Sequence, residues 1–175
     1  MKYIIITILL IFVRPVSLFS QDIFNAARNN DTVGLIRCLK AGNKIDTTDA
    51  RGSTPLIIAV YNENQDAAQL LLKHGARVDA QDRSGNTAMM GACFKGYLNM
   101  VMFLHRNKAN LNRVNYNGAT ALIFSSTFGH KQIVRFLLEN GAEKAVKDKW
   151  GKSALDYAVN QENEEVAAIL KETQR

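Results

Sequence analysis

The sequence contains few of the residues that define small disulfide-rich or fibrous proteins. Among 175 residues there are two cysteines, two prolines, eleven glycines and one tryptophan. Two cysteines are too few for a disulfide-dense scaffold, and the low proline and glycine content excludes a collagen-like chain. Because 47% of the residues are apolar, the chain can bury a core, which excludes intrinsic disorder. The length leaves room for one or two ordinary domains.

Residues 1–20 lack acidic residues and contain an apolar run from Tyr3 to Val13. Lys2 before this run and the small residue Ser20 after it give the layout of a secretory signal peptide. The run is shorter than the roughly 20 residues that a spanning helix needs. We therefore expect a signal peptide at 1–20, cleaved after Ser20. An uncleaved membrane anchor that continues past Arg14 is the alternative.

A spacing of 33 residues organises the rest of the chain. Four residue types recur at this interval: Asp or Asn, then Gly, then Thr or Ser, and finally Ala or Ser. The columns are Asp49, Asp82, Asn115 and Asp148; Gly52, Gly85, Gly118 and Gly151; Thr54, Thr87, Thr120 and Ser153; and Ala59, Ala92, Ser125 and Ala158. A fixed period of this length indicates a stack of repeated supersecondary units.

The residue types in each column predict the local structure of a unit. Asp or Asn followed by Gly predicts a turn, because the acidic or amide side chain binds nearby backbone and Gly accepts positive φ. The Thr or Ser column predicts the N-cap of a first helix, and Pro55 fits its first helical position. A second helix with one apolar face comes next and ends at a glycine such as Gly75 or Gly141.

The segments 54–59 (TPLIIA) and 71–76 (LLKHGA) resemble the motifs of the ankyrin repeat. The resemblance implies an all-α solenoid of helix-turn-helix units joined by β-turn or hairpin loops. The expected organisation is a degenerate N-terminal capping repeat at 21–48, full repeats at 49–81, 82–114 and 115–147, and a C-terminal capping repeat at 148–175.

Two positions depart from the repeat pattern. Lys108 occupies the helix-terminal column of Gly75 and Gly141, so we expect a left-handed residue there, at a cost of roughly 1 kcal/mol. Gly91 lies inside a first helix, where we expect it to make room for Phe124 of the next repeat. A functional cleft at Gly91 is the alternative.

Motifs for catalysis or metal binding do not occur in the sequence. His74, His105 and His130 have no metal-ligand spacing, and no glycine-rich phosphate loop follows a strand. Cys38 and Cys93 fall in helices two units apart, beyond disulfide reach, so we expect buried thiols. We therefore expect a non-enzymatic protein with no catalytic residues, no metal and no cofactor. A hydrolase or redox enzyme that uses Cys93 or a histidine is the alternative.

The resemblance also implies a concave binding surface formed by the turn tips and the exposed sides of the first helices. Aromatic residues and cations, which anchor many interfaces, occupy its variable positions. The expected protein-binding residues are Arg51, Tyr61, Arg83, Phe94, Lys95, Tyr116, Asn117, Phe128, Lys149, Trp150 and Lys152. Alternatively, several of these rings fold onto neighbouring helices and complete the core.

The charge pattern favours a protein partner over nucleic acid. Residues 143–152 contain four lysines and two acids, which favours an acidic partner, with a solvated edge as the alternative. The chain has no dense basic run and no nucleic-acid-reading motif. We expect a monomer that does not contact the membrane after signal cleavage.

Small exported bacterial ankyrin-repeat proteins share this layout. The resemblance implies a periplasmic or secreted binding scaffold that serves as an accessory or protective factor for a periplasmic enzyme. An inhibitor or immunity protein for a toxin-like enzyme is the alternative.

Overall fold

A computed structural model describes the backbone of residues 19–172 and the side chains from residue 23 onward. Within this range the regular structure is helical and no strand occurs. The helices are α1 (Phe19–Arg28), α2 (Thr32–Lys40), α3 (Pro55–Tyr61), α4 (Gln65–Lys73), α5 (Ala88–Lys95), α6 (Leu98–Arg106), α7 (Ala121–Thr127), α8 (Lys131–Glu139), α9 (Ala154–Asn160) and α10 (Glu164–Lys171). Across the described part of the chain, no helix is long and apolar enough to cross a membrane. The expected all-α fold of paired, stacked helices is confirmed.

The first helix of each full repeat begins at the predicted N-cap. The hydroxyl oxygens of Thr54, Thr87 and Thr120 each accept a hydrogen bond, at 3.3 Å, from the backbone N–H three residues later. Ser153 caps α9 in the same way, and the Asp156 carboxylate accepts from the Ser153 backbone N–H at 2.8 Å. This reciprocal pair is a capping box, which satisfies two N–H groups that the helix cannot pair.

The second helices end at left-handed residues. Gly42, Gly75 and Gly141 have φ of +91°, +89° and +91°. Lys108 stands in the same column with φ of +67°, which confirms that a residue with a Cβ adopts this conformation there. A non-glycine residue at such a position costs roughly 1 kcal/mol relative to Gly.

A continuous core runs through the stack. The first helices contact one another in chain order, α1 to α3, α3 to α5, α5 to α7 and α7 to α9. Cys38 and Cys93 are both buried, and no disulfide joins them. Burial raises the pKa of the Cys93 thiol far above its ordinary value, because the thiolate would lose its hydration. The thiols therefore fill the core, as expected.

The expectation that Gly91 makes room for Phe124 of the next repeat is wrong. A Cβ added at Gly91 would meet Tyr61 Cδ2 of the preceding repeat at 3.7 Å, and no atom of Phe124 lies among its nearest neighbours. A distance of 3.7 Å is an ordinary van der Waals contact. Close approach of Phe124 is therefore not the reason for a glycine at this position.

Polar side chains in two further columns join neighbouring repeats. In the first column, spaced by 33 residues, a side-chain oxygen accepts a backbone N–H of the following repeat. The pairs are Asp46 with Arg77 at 3.1 Å, Asp79 with Asn110 at 3.0 Å and Asn112 with Glu143 at 2.9 Å. In the second column, the side-chain amide donates to a backbone carbonyl near the C-terminal end of the first helix of the preceding repeat. Asn64 Nδ2 donates to the Ala27 carbonyl at 2.9 Å, and Asn163 Nδ2 donates to the Ser126 carbonyl at 3.2 Å. These bonds set the register in which the repeats stack.

Candidate protein-binding surface

The tips of successive turns are joined through their backbones. In each turn the side chain of the Asp or Asn column accepts two backbone N–H groups; Asp49 Oδ1, for example, accepts from Arg51 at 2.8 Å and from Ser53 at 2.9 Å. The tip of each following turn then donates one backbone N–H to a backbone carbonyl of the turn before it. These bonds run from Arg83 to the Arg51 carbonyl at 3.1 Å, from Tyr116 to Ser84 at 3.0 Å and from Lys149 to Asn117 at 2.8 Å. The backbone therefore holds the predicted binding residues at fixed positions along one row.

The predicted aromatic residues are exposed. The exposed fractions are 70% for Tyr116, 60% for Trp150, 48% for Phe128, 45% for Tyr61 and 37% for Phe94. These rings therefore do not complete the core, although Tyr61, Phe94 and Phe128 do contact the first helices of neighbouring repeats. Large exposed rings grouped on one surface are characteristic of contact sites, because each buries a large apolar area when a partner covers it.

Three of the rings contact one another at the ends of the first helices. The Tyr61 and Phe94 ring centroids lie 6.1 Å apart in a stacked arrangement. The Phe94 and Phe128 centroids lie 4.7 Å apart, edge to face. The Lys95 ammonium lies 5.1 Å from the Tyr61 centroid, within cation–π range. The ends of three successive first helices thus carry a row of aromatic residues, with the Lys95 ammonium over the Tyr61 ring.

The lysines of residues 143–152 make contacts within the molecule. Lys144 Nζ donates to the carbonyls of Leu170 and Glu172 at the end of α10, at 3.4 and 2.9 Å. Lys149 Nζ donates to Asn117 Oδ1 and lies 4.5 Å from the Trp150 ring centroid. This segment is therefore less available to an acidic partner than its charge suggests.

The last turn also contains a carboxylate–phenol contact. The Tyr157 hydroxyl donates to Asp148 Oδ2, while Asp148 Oδ1 accepts the backbone N–H groups of Trp150 and Lys152, each at 3.0 Å. Burial raises the pKa of Asp148, but these hydrogen bonds and the charge of Lys152 outweigh it, so the pKa lies below its ordinary value. The hydrogen bond to Asp148, burial and the negative charge raise the pKa of Tyr157 to about 12. Lys152 Nζ lies 5.7 Å from the Tyr157 ring centroid.

The histidines have structural contacts. His74 Nδ1 lies 2.9 Å from the Leu70 carbonyl, and His130 Nε2 lies 3.2 Å from the Phe94 carbonyl of the preceding repeat. His105 contacts Phe136 edge to face at 5.5 Å. Among the described residues, no group of three or more His, Cys, Asp or Glu side chains could hold a metal ion.

The sequence analysis missed one residue of this surface. Arg28 at the end of α1 lines the same groove as Arg51, Arg83 and Tyr61. Arg28 precedes Tyr61 by 33 residues, so the repeat register could have identified it. It was missed because the first repeat is degenerate and lacks the turn motif that aligns the later units.

Comparison with known proteins agrees with the paired helices and the repeat spacing. A family model described as ankyrin repeats (3 copies) matches residues 23–115 and 92–174. Comparison with curated proteins gives no significant match. The family matches cover most of the chain, including the core helices and all four turn tips. The chain therefore belongs to the ankyrin repeat family.

Proposed function

We propose that the protein is an exported, non-enzymatic scaffold that binds one partner protein through the concave surface of its repeats. The observation that carries this proposal is the row of exposed rings and cations along the turn tips and first-helix ends. Backbone hydrogen bonds hold successive turn tips in place, so binding requires little ordering of the scaffold. Ankyrin repeats in general act as protein-binding scaffolds, which supports this function.

Export is proposed from residues 1–20, nearly all of which lie outside the described residues. Cell fractionation should place the protein in the periplasm or the medium, and N-terminal sequencing should find a chain that starts at Gln21. A full-length chain in the membrane fraction would support the anchored alternative. A cytosolic chain that retains Met1 would contradict export.

The proposed role is that of an accessory or protective factor for a periplasmic enzyme. The support is the resemblance to small exported bacterial ankyrin-repeat proteins, together with a surface that offers contacts for binding. Loss of the protein should then lower the activity of the partner enzyme. An increase in that activity would support the inhibitor alternative.

Affinity capture from the exported fraction tests the binding surface. Phe94→Ala combined with Trp150→Ala removes two exposed rings, and we expect recovery of the partner to fall at least tenfold, as for interface anchors. Gln69→Ala combined with Arg106→Ala is the matched control, because both residues are exposed on second helices, away from the turn tips. Equal recovery by all three proteins would contradict binding through this surface.

A further inference from the structure

An open groove of about 640 Å³ lies at the N-terminal end of the candidate surface. Arg51, Arg83 and Ser84 line it from the turn tips, and Arg28 and Tyr61 line it from the ends of α1 and α3. Buried isoleucines of α3 also line it. We call this feature the arginine groove, defined by its three arginines and Tyr61.

The backbone positions two of these arginines side by side. The Arg83 N–H donates to the Arg51 carbonyl at 3.1 Å. A Cβ added at Gly52, where φ is +78°, would lie 2.7 Å from Arg83 Cγ. The stem of Arg83 therefore lies directly over a glycine, and the absence of a side chain at Gly52 allows the two tips to approach.

The guanidinium groups of these two arginines have unused donors. Within residues 23–172, the side chains of Arg51 and Arg83 form no hydrogen bond and no ion pair. Arg28 Nη1 donates to Asn25 Oδ1 at 2.9 Å, which uses one of its donors. All three arginines are exposed.

Two carboxylates also line the groove, but the turns use them. Asp82 Oδ1 accepts the backbone N–H groups of Ser84 and Asn86, each at 2.8 Å, and Asp49 makes the equivalent pair in the preceding turn. The groove is thus lined by three arginines and by two aspartates whose carboxylates are already hydrogen-bonded. This balance favours an anionic occupant.

The chemistry of the groove fits a peptide better than a simple anion. A planar guanidinium pairs with a carboxylate through two parallel hydrogen bonds. The 45% exposed ring of Tyr61 beside the arginines adds an apolar contact that a small anion cannot use. Successive side chains of an extended segment point to opposite sides. One side chain can therefore pair with an arginine of the turn tips while the next lies against the Tyr61 ring at the end of α3.

We propose that the arginine groove binds an extended acidic segment of the partner protein. Its Asp or Glu carboxylates pair with Arg51 and Arg83, while a neighbouring apolar side chain lies against Tyr61. This inference rests on the proposed function as a protein-binding scaffold and names the chemistry of the segment that is bound.

The test is an NMR titration of the purified, isotope-labelled full-length chain. The probe is a ten-residue peptide that alternates Glu with Leu, and the same peptide with Gln in place of Glu is the uncharged control. We expect the Glu peptide to shift the backbone amide signals of Arg51, Arg83 and Ser84 most. The Gln peptide should bind at least about tenfold more weakly, because its amides cannot form charged pairs.

A matched pair of variants locates the effect. Arg51→Gln with Arg83→Gln should weaken binding of the Glu peptide at least about tenfold, since two charged pairs are lost. Arg37→Gln with Arg106→Gln removes the same charge from exposed positions on second helices, away from the turn tips, and should change affinity less than twofold. Equal losses in both variants, or no measurable binding of the Glu peptide, would overturn the inference.

Two further outcomes separate the possible failures. If sodium glutamate alone produced the same shifts at equal carboxylate concentration, the groove would be an anion site and the peptide proposal would fall. If the Glu peptide did not bind but the Phe94 and Trp150 variant still lost its partner, the proposed function would stand without this inference.

Discussion

The turn tips at the two ends of the candidate surface carry similar charge but differ in their contacts. Arg51 and Arg83 at the N-terminal end make no side-chain hydrogen bond or ion pair with described residues. At the C-terminal end, Lys149 contacts Asn117 and Trp150, and Lys152 lies near the Tyr157 ring. Cations that are engaged within the molecule have fewer free donors to offer a partner.

Within the described residues, the two ends also differ in whether a successor turn covers the turn glycine. Gly52 and Gly85 are covered by Arg83 and Tyr116 of the next turn, whereas a Cβ at Gly151 would meet no atom within 4 Å. Among the described residues, Lys149 contacts Asn117 of the preceding turn and Trp150 of its own turn. The number of charges in a segment therefore does not tell which of them a partner can reach.

The largest expected effect comes from adding one methyl group at equivalent turn positions. Gly85 and Gly151 have φ of +79° and +74°, so Gly→Ala costs roughly 1 kcal/mol of backbone strain at either. At Gly85 the new Cβ would also lie 2.6 Å from the Tyr116 backbone nitrogen. We expect Gly85→Ala to lower the free energy of unfolding by about 3 kcal/mol and Gly151→Ala by about 1 kcal/mol. Urea unfolding measures both, and equal losses would show that the successor turn does not matter.

The second prediction concerns the carboxylate of the last turn. Asp148→Ala removes the acceptor of three hydrogen bonds, and we expect a loss of about 2 kcal/mol in urea unfolding. Asp148→Asn is the matched control, because Asn115 already accepts the two equivalent N–H groups in the preceding turn, each at 2.9 Å. We expect the Asn variant to lose less than about 1 kcal/mol. Equal losses for Ala and Asn would contradict this account of the turn.

A smaller effect is expected from the phenol that contacts this carboxylate. Tyr157→Phe should lower the free energy of unfolding by about 1 kcal/mol near neutral pH, because one partly exposed charged hydrogen bond is lost. The pKa of Asp148 is lowered by folding, so its contribution disappears as the pH falls below about 4. The pKa of Tyr157 is raised to about 12, so its contribution disappears as the pH rises from about 10 to about 12.

Thermal unfolding of wild type and Tyr157→Phe across this pH range checks the prediction. The difference between the two proteins should be largest between about pH 4 and pH 10 and should shrink on both sides. A difference that did not vary with pH would indicate lost packing and not a lost hydrogen bond.

The smallest predicted effect is a gain at a helix end in the middle of the stack. Lys108→Gly should raise the free energy of unfolding by about 0.5 to 1 kcal/mol, because Lys108 has φ of +67°. Lys108→Ala is the control, since alanine bears the same strain and should leave the melting temperature nearly unchanged. A lower melting temperature for Lys108→Gly would mean that the side chain of Lys108 makes a stabilising contact.

Local structure was predictable wherever one residue type determines it. The N-cap threonines and the turn glycines result from backbone preferences that act within a few residues. The left-handed Lys108 was predicted from its alignment with Gly75 and Gly141 in the repeat. Contacts between repeats were less predictable. The neighbour of Gly91 is Tyr61 of the preceding repeat and not Phe124 of the next one, and no local rule sets this direction.

The residues that lie on the candidate surface were predictable from the sequence, but their contacts with other residues of the chain were not. The resemblance to ankyrin repeats identified the positions of the exposed rings, because every unit presents the same columns to the same side. It did not show that Lys144 and Lys149 are engaged by the end of α10 and by Asn117. Arg28 shares the column of Tyr61, but only the structure showed that it lines the groove.

The sequence by itself determined the 33-residue unit, the helix caps, the turn glycines and the columns that face outward. These depend on interactions within one unit, which the order of residues specifies directly. Only the tertiary structure decided which cations remain available, because that depends on neighbours about 30 residues away, such as Asn117 for Lys149. In a stack where each repeat touches its neighbours, the pattern within one unit does not specify such contacts.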